Sequence, residues 1–222
     1  MMTAEDAALL VRARAESVQL RGHGLHVKDV AEGPPGYFRP PDAIDLLEGR
    51  MPLQTLFTLL HEIGHFWSFT VERRGSQYGG DVVLWRGWTK EIGRRIMKRP
   101  DMQHYANGGD VPRETWDRSF REEALKLSCP LDRTRRGLIL DEEARAWTLA
   151  YAIVEVVVPD LQQELVAEAR RALEPYFVGL GLPSDANWVP NVVELRLSPE
   201  DRCYISELAM PGQYGVRPRG TA

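Results

Sequence analysis

The stretch that most constrains this chain lies between Pro52 and Gly75, where residues 53–73 place Leu56, Leu59, Leu60, Ile63 and Phe66 three and four positions apart. That spacing predicts a helix with one buried face, Pro52 suiting its start and Gly75 its stop. Inside it runs Leu59-Leu60-His61-Glu62-Ile63-Gly64-His65-Phe66-Trp67. Residues four apart share a helical face, so both imidazoles can reach a single ion. Glu62, beside the first histidine, is placed to take a proton from water at that ion. Gly64 has no side chain, and so admits close approach by another backbone or a substrate.

A core helix with two hydrogen-bonded histidines would also show His at i and i+4. Against that reading, the chain holds only 5 histidines, and two of them fall at this spacing with Glu directly after the first. The HExxH pattern in an apolar helix is the better account. Hydrolysis of an amide also needs what it supplies. A zinc ion brings the pKa of a bound water only to about 7, and attack requires a base that accepts the proton and later returns it. His61 and His65 are therefore expected as zinc ligands and Glu62 as the catalytic base.

A catalytic zinc takes a third protein ligand and leaves a fourth position open. The metzincin continuation is absent, since Ser68 stands at its glycine position and Val71 at its third histidine. Glu72 shares the histidines' face but lies seven residues past His65, about 10 Å along the helix, too far to share an ion. A carboxylate from another helix is needed. In Leu140-Asp141-Glu142-Glu143-Ala144-Arg145-Ala146-Trp147, the residues Glu143, Ala146, Trp147, Ala150 and Tyr151 share a face, which makes Glu143 the expected third ligand. Glu142 is the nearest alternative, with Asp81 and His104 behind it. Both glutamates could instead serve only to favour a helix N-terminus electrostatically.

Elsewhere the pattern predicts mostly helix. Thr3 can cap a helix over residues 4–20, ended by Gly22 and Gly24. Residues 25–30 alternate as a strand, and residues 37–47 return as strand segments that Pro40 and Pro41 confine to an edge or a break. Residues 75–87 read as a loop with strand character at 82–85, and residues 89–98 as helix. Pro112 can begin a helix to about residue 127, and residues 130–137 connect to a helix over 141–158. Leu161, Leu165, Ala169 and Leu173 mark an amphipathic helix over 160–177. A strand is expected at 192–197, then a helix capped at Ser198 and reaching residue 210. The class is α+β, mostly helical, with a small β-sheet near the N-terminus.

Bulk properties narrow the function. The 222 residues, 43% hydrophobic, suffice for one globular domain with a sizeable core. A formal net charge of -4 argues against gripping phosphate backbones, so no nucleic-acid partner is expected. The clusters at Arg94-Arg95, 133–136 and Arg170-Arg171 stand among acids and read as solvated faces. Two cysteines, Cys129 and Cys203, give neither a disulfide framework nor a thiolate metal site. With no export signal and no span long enough for a bilayer, the expectation is a cytoplasmic protein with no membrane association.

Gly36-Tyr37-Phe38, then Ile44-Asp45-Leu46, then Leu56-Phe57-Thr58-Leu59-Leu60 leading into His61-Glu62-Ile63-Gly64-His65 together resemble the ImmA/IrrE-type metallopeptidase domain. The resemblance covers residues 4–155, and the HExxH segment is its specific part. That family carries its third zinc ligand in a Glu-x-x-Ala pattern on a later helix, which Glu143-Ala144-Arg145-Ala146 matches. The resemblance implies a gluzincin-like, zincin-type fold over residues 1–158, a zinc site, and proteolysis of a protein or peptide substrate, often a regulatory protein. Residues 159–210 would form a helical extension on the same core, and 211–222 a flexible tail. Two departures stand out. The stretch from 66 to 142 is longer than the family usually needs, and Trp147 occupies the position where many gluzincins carry a carboxylate that orients a histidine. The competing functions are a protein-docking module that keeps the fold without turnover, and a DNA-binding regulator, for which no basic recognition helix is present.

Overall fold

The computed structural model describes residues 2–72, 79–102, 105, 111–182 and 188–210. Its elements in chain order are α1 (Ala4–Ser17), β1 (His26–Val30), β2 (Gly36–Arg39), β3 (Ala43–Leu47), α2 (Pro52–Glu72), α3 (Gly79–Met97), α4 (Arg113–Lys126), α5 (Arg133–Val157), α6 (Gln162–Gly179) and α7 (Pro199–Ala209), with short 3-10 turns at Pro100–Met102, Pro159–Leu161 and Val192–Leu195. Most of the described chain is helical, with one three-stranded sheet near the N-terminus. None of its helices is long and apolar enough to cross a membrane. The tail at 211–222 and His104 lie outside the described residues. Contacts cluster the chain into two compact units, one of Met1–Arg73, Arg145–Val166 and Pro190–Ala222, the other of Arg74–Ala144 and Ala167–Val189.

In the first unit, Thr3 caps α1 as its sequence position predicts, in a reciprocal capping box with Asp6. Ala7, Val11 and Ala15 face inward, and α1 packs on α2 and on α7. Arg14 at the end of α1 donates to the Glu207 carbonyl at 2.9 Å, tying the two helices. Ser198 caps α7 through a second capping box, with Asp201. The sheet runs β1-β3-β2, with β1 parallel and β2 antiparallel to β3. Pro40 and Pro41 turn the chain between β2 and β3, leaving β2 at an edge as expected. One row crosses the sheet at Val27, Ile44 and Phe38, all buried. This face meets α2.

The second unit is organised by α3, and here two expectations fail. Residues 82–85 are helical rather than strand-like. Valines favour a strand locally, but Trp85, Trp88, Ile92 and Ile96 recur at helical spacing and are all buried, and that burial outweighs the local preference. Trp85 stacks on Tyr176 with ring centroids 4.9 Å apart and planes 10° apart, and the Trp88 indole donates to the Leu127 carbonyl at 2.9 Å. Helix α5 also begins earlier than residue 141. Asp132 accepts from the Arg135 N–H at 2.9 Å, the bond an N-cap makes, and Gly137, which reads as a break, is carried inside the helix. A lone glycine costs only about 1 kcal/mol in a helix, less than burying Ile139 returns.

A third correction falls in the first unit. Residues 192–195 form a 3-10 turn, and Arg196 takes a left-handed φ of 50°, so the buried Leu195 and Leu197 reach the core without a strand. Within the basic clusters several guanidinium groups meet carboxylates: Arg94 and Arg95 bond Glu91, whose carboxyl they hold down at about 2, chiefly by the bond to Arg94. Arg135 lies 3.5 Å from Asp81, and Arg171 lies 2.9 Å from Glu168.

The aromatic core of the second unit gives a direct test. Trp85→Ala is expected to cost about 3–5 kcal/mol. Leu125→Ala, at a position 89% exposed, should stay within about 0.5 kcal/mol. Chemical denaturation followed by circular dichroism checks both, and equal effects would contradict this packing.

Candidate metal centre

Helix α2 sets His61 and His65 one turn apart, with ring centroids at 4.6 Å and planes 77° apart. Both are partly buried, while Glu62, Ile63 and Gly64 between them are buried. His61, His65 and Glu143 each offer a ligand atom, and these atoms lie within 4.8 Å of one another. Among the described residues, this is the group of His, Cys, Asp or Glu that can hold an ion. Sequence reasoning named all three.

Gly64 shows how α2 and α5 come so close. A Cβ built there would stand 2.7 Å from the Ala146 Cα and 2.8 Å from its carbonyl carbon, distances that real Cβ atoms do not show. The variable glycine of HExxH is thus the point where one helix backbone lies on another. Ala146 is three residues past Glu143 on α5, so the same contact holds that turn of α5 beside the histidines. Farther along, Arg145 bonds Glu72 at the end of α2, its Nε donating at 3.0 Å. Glu72, which lies outside the ion-holding group, instead ties the two helices together.

Glu62 is held from the other side, by the sheet. Its Oε2 accepts the Phe38 backbone N–H at 2.8 Å, and its Oε1 lies 3.4 Å from His61 Nδ1. Phe38 has that N–H available because of strand register. Leu47 donates to the Pro35 carbonyl, so by antiparallel alternation Tyr37 and Arg39 bond β3, while Gly36 and Phe38 turn their backbone groups away from it. A Cβ on Gly36 would sit 2.9 Å from Glu62 Cγ and would also strike Thr58, so glycine is required for β2 to lie against α2 here. Neither the Gly36 contact nor the Phe38 bond was visible in the sequence, where the only sign was a glycine opening the strand.

The alternatives for the third ligand fare differently. Glu142 is buried but falls outside the ion-holding group. Asp81 pairs with Arg135. The early start of α5 puts Glu142 and Glu143 in its third turn, beyond the first turn where a helix N-terminus favours acids. Tyr105 packs against the second unit's apolar core, and Tyr151 is partly buried on α5. Trp147 lies over His61, rings stacked at 4.4 Å.

No family model, curated protein or solved structure matches this chain. The case for a metal centre therefore rests on its own residues.

Gly64→Ala separates packing from propensity. In an ordinary helix interior this change gains about 1 kcal/mol. Here overpacking against Ala146 should cost about 1–3 kcal/mol, so the net effect is expected to be loss of stability. A variant as stable as the wild type by denaturant titration would contradict the close approach.

Proposed function

We propose that this protein is a zinc-dependent metallopeptidase of zincin-like fold, acting on a protein or peptide substrate, with His61, His65 and Glu143 holding the ion. The observation that carries this reading is the convergence of two imidazoles and one carboxylate on a span of 4.8 Å, with Glu62 directly beside them. Two nitrogens and one oxygen are the donor set of a catalytic zinc site that leaves a position open, whereas structural zinc sites are closed by four protein ligands, usually rich in thiolate. Neither Cys129 nor Cys203 belongs to this group. The resemblance to the ImmA/IrrE-type domain, carried by the motif residues, supports the same reading.

When bound, the ion would supply Lewis acidity, making water acidic enough to attack near neutral pH and polarising the scissile carbonyl. The remaining work falls to the chain. Glu62 accepts the proton of the attacking water and passes it to the leaving amine nitrogen, so one carboxylate serves as base and then as acid. The Phe38 N–H fixes one carboxylate oxygen, which leaves the other to move the proton and prevents the side chain from turning away. Partial burial of both histidines limits bulk water around the reacting atoms. A docking module without turnover would have no use for a base at this position.

Three variants test the assignment. Glu62→Gln should keep fold and zinc but lose peptide hydrolysis by about 100-fold or more, the scale of general-base catalysis. His65→Ala and Glu143→Ala should lose zinc, measured by elemental analysis on folded protein, from about one ion per chain. Cleavage of a peptide library by Glu62→Gln at the wild-type rate would sink the mechanism. Zinc bound by the wild type with no hydrolysis would turn the reading to a docking protein.

A further inference from the structure

Trp147 stacks face to face on His61, with ring centroids 4.4 Å apart and planes inclined by 25°. It is only 5% exposed. His65 meets the same imidazole nearly edge-on, at 77°. His61 is therefore packed by both an indole face and a second imidazole, contacts that restrict rotation of its ring. Trp147 also lies one helical turn beyond Glu143, so a single face of α5 brings both a ligand and this indole to the histidines.

We infer that Trp147 is a positioning residue for the metal centre, acting through His61; the inference rests on the metallopeptidase reading above. Metal-ligating histidines are commonly oriented by a carboxylate or carbonyl that hydrogen-bonds the other ring nitrogen. Here the support comes from an aromatic face. The indole N–H is buried and has no hydrogen-bond partner among the described residues, so the contact with His61 works through the ring plane rather than through that donor. An imidazole that coordinates a divalent cation is drained of electron density and behaves partly as a cation. The negative face of an indole attracts such a ring more than a neutral one. The stack thus favours the loaded state over the empty one and contributes to metal affinity beyond its share in core packing.

The order expected from this account is Trp above Phe above Leu, because Phe keeps a weaker ring face and Leu keeps only apolar volume. Zinc affinity of the full chain would be measured by competition with a chromophoric chelator, with circular dichroism confirming the fold of each variant. Trp147→Leu should bind about 10–100-fold more weakly, the range for loss of a residue supporting a ligand. Trp147→Phe should retain most of the affinity. A purely structural role would lower unfolding midpoints and leave the affinity of the folded protein unchanged. As a second readout, cobalt should quench tryptophan emission in the wild type, and that quench should shrink in Trp147→Phe.

If the wild type binds zinc and Trp147→Leu binds it within about twofold, the inference is overturned while the metal centre stands. If the folded wild type binds no zinc, both fall together. Should Trp147→Leu fail to fold, Trp147→Met, which keeps more of the apolar volume but no ring face, is measured in its place, and a zinc affinity within about twofold of wild type overturns the inference.

Discussion

Much of what this structure can do depends on one place where two helix backbones touch, Gly64 on α2 and Ala146 on α5. Helix axes usually stay 8–10 Å apart because side chains stand between them. Removing the side chain at Gly64 lets α5 settle directly on α2, and every residue near that crossing is brought inward with it. Glu143 lies one turn before the crossing and Trp147 at it, and both lie beside His61. The histidines supply their own spacing through helical periodicity. Glu143 has no such help, since 77 residues separate it from His65, and only tertiary packing can set that distance.

The sheet performs the matching task for Glu62. A buried carboxylate is costly unless it is hydrogen-bonded, and Glu62 is only 7% exposed. Edge strand β2 meets that requirement with a backbone donor, which no side-chain substitution can remove short of proline. This works because the antiparallel register turns Phe38 away from β3 and because Gly36 leaves room for α2 to lie close. The Phe38 ring then packs against Phe66 and Phe69 on α2, with centroids at 6.0 Å and 5.9 Å, so strand and helix are clamped on both sides of the bond. Glu62 and the histidines are thereby held by different neighbours, the sheet for Glu62 and α5 for His61.

What could be read from the sequence follows the range of the interactions involved. The α2 helix, its motif, the capping boxes at Thr3 and Ser198 and the Pro-interrupted hairpin are local, and each stands where its residues predict. Glu143 was reachable because Glu143, Ala146 and Trp147 recur at helical spacing, which names a face without saying what that face meets. The failures have the opposite character. Val82 and Val83 prefer a strand, Gly137 prefers a break, and Leu195 and Leu197 alternate like strand residues. In the first two cases burial of distant partners, Tyr176 under Trp85 and the core around Ile139, decides against the local preference. Trp147 was legible only as a missing carboxylate, since a sequence can show that an aromatic replaces a charged group but not that its ring lies over His61.

Charge balance explains why these features belong together. Glu62 and Glu142 are buried, Glu143 is partly so, and all three lie within one turn of a histidine or of one another along their helices. Concentrating carboxylates in a region of low dielectric raises the energy of each, and like charges add to the cost. The Phe38 N–H offsets part of it for Glu62. A divalent cation held by two neutral imidazoles and Glu143 would carry the positive charge that Glu62 faces, and its binding energy would then be part of the folding free energy of this region. In this structure α2, β2 and α5 form the frame that brings these carboxylates and the two histidines together.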